Sequence, residues 1–265
     1  MKGKVAVITG GSGTLGRAFA KGLAEQGAIV YTLDRNVESS RQMILDFKED
    51  GYELYAAECD VLNEESVERA AKQVLDATGR VDILINAAGG NMPGATVMPE
   101  QSIFDISVDQ FRKVTDLNLL GTVIPTIVFT KPMVEQGAGC IINISSMSSF
   151  APLTRVVGYS ASKAAINNFT QWMSVELANK YGDGIRVNAI APGFFVADQN
   201  RALLLKEDGS LTSRGETIIS QTPMKRFGDP DDLISTLLWL CDDKSSFITG
   251  IVVPVDGGYS AFSGV

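Results

Sequence analysis

The chain is 265 residues long, 45% hydrophobic and 20% charged, and its 23 basic against 31 acidic residues give a formal net charge of −8. That length suits one α/β domain, and the negative balance excludes nucleic acid and anionic membrane as expected partners, because both attract basic faces. No histidine is present, which removes every imidazole base, nucleophile activator and metal ligand from the catalytic repertoire.

The chain opens with a charged, briefly apolar stretch that reaches glycine too soon for a signal peptide, and no segment approaches a membrane span. Short β-rich apolar runs at 5–9, 29–33, 54–58, 83–86, 141–144, 187–190 and 251–255 predict seven strands. Helix-length segments separate most of them, so the strands run parallel and are buried on both faces. The expected architecture is a single doubly wound α/β sheet over 1–265, with helices on each side.

The first helix is predicted to start after Gly13 and end near Gly27, burying Leu15, Ala18, Phe19, Gly22 and Leu23. Before it, Thr9-Gly10-Gly11-Ser12-Gly13-Thr14-Leu15-Gly16 joins a strand to a helix start, where backbone N–H groups and the positive helix end hold a pyrophosphate. Asp34 ends the second strand 18 residues after Gly16, near the offset at which a carboxylate accepts hydrogen bonds from an adenosine ribose. A carboxylate there repels a 2′-phosphate, so NAD(H) is expected over NADP(H). Neighbouring Arg35 is the opposing signal, since a guanidinium binds that phosphate, and a strand-end turn role is the alternative for Asp34.

Cys59, Cys140 and Cys241 are odd in number and far apart, which predicts small buried hydrophobes and a reducing cytoplasm. Tyr159 and Lys163 stand at i, i+4 at the start of a helix whose apolar positions are Ile166, Phe169, Met173 and Leu177. An ammonium beside a phenol favours phenolate and lowers the tyrosine pKa. With no histidine available this is the natural proton-transfer pair, and Ser146 after the fifth strand can hydrogen-bond the same oxygen. Taken singly, each of these residues has an ordinary explanation as a helix-start, surface or turn residue.

The ordered set Thr9 to Gly16, Asn86-Ala87-Ala88-Gly89, Asn118, Ser146, Tyr159-x-x-x-Lys163 and Asn188 through Pro192-Gly193 resembles the short-chain dehydrogenase/reductase family over essentially the whole chain. The resemblance implies a Rossmann fold in which Tyr159 is the acid/base and Ser146 the carbonyl partner. Lys163 would lower the tyrosine pKa and bind the nicotinamide ribose, and Asn118 would hold a water linking Lys163 to solvent. Gly10, Ser12, Gly13, Thr14, Leu15 and Gly16 would line the pyrophosphate, Asp34 and Arg35 the adenosine ribose, and Asp60 and Val61 the adenine. Asn86, Ala87, Ala88 and Gly89 would line the cleft, with Pro192, Gly193 and Phe195 also against the cofactor. A homotetramer is implied too. Three positions depart from the family pattern: Thr14 replaces a loop glycine, Ala87 an asparagine and Ala197 a threonine.

At finer grain, motifs such as Gly89-Gly90-Asn91, Pro152-Leu153-Thr154-Arg155 and Gln199-Asn200-Arg201 resemble the sugar-acid oxidoreductases of that family. They imply interconversion of D-fructuronate and D-mannonate, with ketogluconate reduction as the alternative and a dinucleotide sensor without catalysis as the alternative of another class. A hexuronate carboxylate needs a nearby cation. Arg155 and Arg201 are the candidates, with Lys225-Arg226 a third. Gln199 and Asn200 are hydroxyl partners in a partly helical insertion at 194–229 that reads as a lid or binding segment, and Asn91 after two glycines either reaches the sugar or serves only as a turn former. Asp229-Pro230-Asp231-Asp232 reads as a helix cap, so no catalytic metal is expected. Trp172 and Trp239 read as core.

Overall fold

The structure is a computed structural model that describes residues 1–197 and 200–264. The seven runs are strands: β1 (Val5–Thr9), β2 (Ile29–Asp34), β3 (Leu54–Glu58), β4 (Ile83–Asn86), β5 (Gly139–Ile144), β6 (Ile185–Pro192) and β7 (Val252–Val255). All neighbours pair in parallel, in the order β3-β2-β1-β4-β5-β6-β7. Winding therefore reverses between β1 and β4, the place where a doubly wound sheet opens a crevice at its strand ends. This is the Rossmann-like α/β fold expected from the sequence.

The helices are α1 (Thr14–Glu25), α2 (Glu38–Glu49), α3 (Glu64–Thr78), α4 (Val108–Thr115), α5 (Gly121–Gln136), α6 (Val157–Tyr181), α7 (Arg201–Leu204), α8 (Ser213–Gln221) and α9 (Ile234–Cys241). Successive strand residues point to opposite faces, so β1 divides its side chains between two cores. Ala6 and Ile8 join Phe19 and Leu23 of α1, Met43 of α2 and Leu237 of α9 on one face. Val5 and Val7 join Val67 and Val74 of α3, Phe129 of α5, and Met173 and Leu177 of α6 on the other. The three cysteines are buried and unbridged, and burial pushes the Cys59 thiol up to about 12, leaving it an inert apolar group.

Two expectations are corrected. Trp172 and Trp239 are not core: they are 56% and 46% exposed, on the outer faces of α6 and α9, whose inner faces already bury Ile166, Met173, Leu177, Leu237 and Leu240. A membrane-length segment is also present. A π turn at Asp116–Leu120 fuses α4 and α5 into one helix, Val108–Gln136, long and apolar enough to cross a bilayer. Half of its apolar window is buried inside the molecule, so much of that apolarity serves the sheet-facing core.

Candidate active site

The glycine loop opens at the carboxyl end of β1. Gly10 has φ 64, and a Cβ on it would lie 2.8 Å from the Cα of Ala88; a Cβ on Gly16 would lie 2.3 Å from the Gly10 carbonyl oxygen. These contacts require glycine at both positions and press the loop against the Ala87-Ala88 segment, whose N–H groups donate to the Thr9 hydroxyl at 3.2 Å. Thr14 is accommodated because α1 begins there, with Gly13 as an N-cap that offers no side-chain acceptor. The first N–H groups of α1, at Thr14, Leu15 and Gly16, are thereby left for an anion. Residues at 10–16 fit a dinucleotide pyrophosphate.

Asp34 meets that loop directly: its carboxylate accepts from the Ser12 N–H at 3.1 and 3.2 Å, from the Ser12 hydroxyl at 2.8 Å and from Ser40 at 3.2 Å. Arg35 beside it is exposed. Asp60 turns one carboxylate oxygen onto the Leu62 N–H at 3.0 Å, and Val61 is buried near Gly121. Asn86 is buried, donating to Thr126 and Asn143 at 2.8 Å each, while its Oδ1 has no partner among the described residues.

Ser146, Tyr159 and Lys163 come together at the ends of β5 and α6. The Lys163 ammonium donates to the Ile144 carbonyl at 2.7 Å and lies 5.5 Å from the centre of the Tyr159 ring. Burial pushes the Tyr159 phenol above its ordinary value, and Ser146 is the neighbour that pulls it back toward ionisation. Burial likewise lowers Lys163 to about 8. The expected depression of the tyrosine by Lys163 is therefore corrected: burial raises the phenol, and the neighbour that lowers it is Ser146 and not Lys163, whose ammonium is itself desolvated.

Asn118 occupies the π turn and is buried. Its amide donates to the Gly90 and Val114 carbonyls at 2.8 Å each and accepts from the Gly90 N–H at 3.0 Å. A Cβ on Gly89 would lie 2.7 Å from Asn118 Oδ1 and 3.5 Å from Lys163 Nζ, so the cleft floor is built around those two side chains. Sequence reasoning missed the brace behind Ser146. Ser145 donates to Asn167 at 2.5 Å, Asn167 to Ser149 at 2.8 Å, and Ser149 to the Ser146 carbonyl at 2.6 Å; the run of serines after β5 was its available signal.

Pro192 ends β6, Gly193 donates to the Val255 carbonyl at 2.9 Å, and Phe195 is buried with its ring over Gly228. Ala197 and Phe195 engage the Asn200 amide, the Ala197 N–H donating to it at 2.8 Å and the Phe195 carbonyl accepting from it at 2.9 Å. Asn200 thus braces its own loop instead of presenting a free amide, which corrects its reading as a hydroxyl partner. Gln199 lies outside the described residues. Arg226 is held by Asp232 at 2.6 and 2.9 Å and is removed as an anion anchor. Asp229 and Asp232 form the anticipated capping box. Asn91 donates to Thr96 at 2.7 Å and keeps a buried Oδ1 with no partner among the described residues. Arg201 is exposed at the start of α7, while Arg155 is half-buried. Arg214 on α8, half-buried as well, has no motif around it and was not anticipated.

The short-chain dehydrogenase family model matches residues 4–208. The chain belongs to the short-chain dehydrogenase/reductase family and is an oxidoreductase. It is 48% identical over its whole length to the uncharacterized oxidoreductase UxuB of Bacillus subtilis (strain 168), covering 98% of that protein. It is 34% identical to the 2-dehydro-3-deoxy-D-gluconate 5-dehydrogenase of Formosa agariphila, with 100% of this chain and 95% of the relative covered. Among solved structures, a protein from Haemophilus influenza proposed as a D-mannonate oxidoreductase, with bound NAD, superposes with a TM-score of 0.93 at 41% identity, covering 100% of this chain and 98% of the other.

Proposed function

We propose that this enzyme interconverts a sugar-acid ketone and its alcohol with NAD(H), the favoured pair being D-fructuronate and D-mannonate. The observation that carries this reading is the meeting of Ser146, Tyr159 and Lys163 at the ends of β5 and α6, with Arg155, half-buried four residues before the tyrosine, as the candidate cation for the acid. The resemblance to a NAD-bound protein proposed as a D-mannonate oxidoreductase supports it. The likeness to a 5-dehydrogenase of a deoxygluconate keeps ketogluconate reduction as the second reading.

A bound nicotinamide supplies or accepts the hydride. Tyr159 delivers its proton to the carbonyl oxygen in reduction and recovers it in oxidation. Ser146 holds the same oxygen by a hydrogen bond. Lys163 stands behind the ring, anchored by the Ile144 carbonyl, where its charge steadies the phenolate as it forms. Asp34 takes the ribose hydroxyls and disfavours a 2′-phosphate, which makes NAD(H) the preferred cofactor. We further propose a single domain, a homotetramer assembled through the exposed apolar faces, and a cytoplasmic setting suited to three unbridged thiols.

Initial rates with D-fructuronate, D-tagaturonate and 5-ketogluconate, each with NADH and NADPH, test the proposal. A kcat/KM at least about tenfold higher for D-fructuronate with NADH is expected. Preference for NADPH sinks the cofactor assignment, and preference for another acid sinks the substrate.

A further inference from the structure

The inner face of α2 begins with a polar residue where an apolar one would pack. Its buried residues are Ser40, Met43 and Phe47, spaced i, i+3 and i+7 as an apolar stripe is. Met43 and Phe47 enter the core that holds Ala6 and Phe19, yet the stripe opens with a hydroxyl-bearing residue at 0% exposure. A hydroxyl so placed needs a partner, and Ser40 donates to Asp34 Oδ2 at 3.2 Å. Thr32 stands behind it, its own hydroxyl 3.5 Å from that of Ser40 and 3.3 Å from the Tyr55 carbonyl. The glycine loop presses on the same spot, since a Cβ on Gly11 would lie 2.4 Å from the Thr32 methyl carbon.

Asp34 is thereby gripped from two elements. Ser12 of the loop donates to Oδ1 through its hydroxyl at 2.8 Å and shares its N–H between both oxygens at 3.1 and 3.2 Å, while Ser40 of α2 holds Oδ2. Ser39, exposed one position earlier on α2, donates to the Ser12 hydroxyl at 3.0 Å. These donors leave room on a carboxylate, which accepts about four hydrogen bonds. The plane of the carboxylate is therefore set in advance, and a diol that meets it loses little in ordering it.

We propose that Ser40 is a positioning residue for cofactor choice: by fixing Asp34 Oδ2 it turns a side chain free to rotate into an oriented acceptor for the ribose diol of NAD(H). The proposal deepens the NAD(H) reading and rests on it for the place of the ribose at Asp34. Charge repels a 2′-phosphate from any rotamer of Asp34, whereas hydrogen bonds from two ribose hydroxyls demand one orientation of the carboxylate. Ser40 accordingly governs the affinity for NADH and leaves that for NADPH nearly unchanged. An alanine would complete the apolar stripe of α2, so the hydroxyl at this position serves the acid and not the core.

Fluorescence titration of the purified protein with NADH and with NADPH, without substrate, reads this independently of turnover. Ser40→Ala deletes a single oxygen and is expected to raise the Kd of NADH about three- to tenfold, while the Kd of NADPH stays within about twofold. Ser245→Ala removes another buried hydroxyl, bonded to the Trp239 carbonyl in the turn after α9, and is expected to change neither. In Asp34→Ala protein, adding Ser40→Ala is expected to change nothing further, because the two side chains act through one carboxylate. Equal weakening of both nucleotides by Ser40→Ala, or an effect that adds to that of Asp34→Ala, makes Ser40 a packing residue of α2 and overturns the proposal, as does an NADH Kd that does not move. Should Ser40→Ala fail to fold, Ser40→Cys, whose thiol is a weak donor, decides by the same two constants. The NAD(H) reading fails separately. A ratio of the two Kd values that Asp34→Ala leaves unchanged removes Asp34 from the ribose and Ser40 with it; a ratio moved by Asp34→Ala but untouched by Ser40→Ala keeps the reading and removes only Ser40.

Discussion

Asp34 and Ser12 form one unit: the carboxylate at the end of β2 accepts from both the N–H and the hydroxyl of the glycine-loop serine, the latter at 2.8 Å. The loop that fits a pyrophosphate and the acid assigned to the ribose are thus locked together before any cofactor arrives. In the proposed cofactor assignment, replacing Asp34 with alanine removes both the ribose acceptor and the repulsion of a 2′-phosphate. The expected result is a shift of about ten- to hundredfold in kcat/KM from NADH toward NADPH, read from initial rates. An unchanged ratio shows that Asp34 serves the loop alone.

Proton transfer carries its own sign. Reduction uses the protonated phenol, which burial favours, so reduction is expected to stay flat through neutrality. Oxidation uses the phenolate and is expected to rise with pH. Ser146 is the group that lowers the phenol, so Ser146→Ala moves the rise in oxidation to higher pH as well as slowing it. Tyr159→Phe is expected to slow both directions by about 10²- to 10⁴-fold. Comparison of the pH profiles of the two variants checks this, and full activity in Tyr159→Phe removes the tyrosine from the mechanism.

Lys163 is paid for in stability. Its folded value of about 8 lies below the ordinary 10.5. Below pH 8 both folded and unfolded chains hold the proton, and the cost of burying the ammonium is fully present. Between 8 and 10.5 the unfolded chain holds a proton that the folded one has lost, so this group's penalty shrinks as pH rises. Lys163→Met is expected to be inactive yet more stable at pH 7, by up to about 3 kcal/mol, less the lost hydrogen bond to Ile144. The advantage fades toward pH 10. Equal melting shifts at pH 7 and pH 10 would contradict it.

Much of the fold was legible because parallel strands buried on both faces read as unbroken apolar runs, and all seven lie where such runs stand. The glycine loop, Asp34 and the Tyr159 and Lys163 pair were legible because spacing alone places them. What was not legible depends on which face a side chain turns to the outside. Trp172 and Trp239 have the spacing of core residues but sit on helices whose inner faces are already filled. Nothing local distinguishes Arg214 from Arg201; only the packing of the insertion leaves the former half-buried and the latter exposed. The direction of the tyrosine shift was misread because spacing reports the ammonium but not the water it has lost.

Those tryptophans yield a further expectation. Trp172 shares the exposed face of α6 with Val175, while Phe247 beyond α9 is fully exposed near Trp239 in sequence. Apolar surface of this kind marks contacts between subunits. Trp172→Glu and Trp239→Glu are each expected to lower the mass measured by light scattering, from tetramer to dimer. A monomeric wild-type protein defeats the proposed assembly.

The π turn at Asp116–Leu120 places Asn118 under Gly90 by fitting one surplus residue into an otherwise regular helix. Losing a single codon there would restore ordinary winding and swing the preceding turns by about 100°, carrying the asparagine away from the cleft. The number of residues from Val108 to Gln136 is therefore set by what the cleft needs, and an insertion or deletion tolerated in most surface helices would be lethal to the enzyme here.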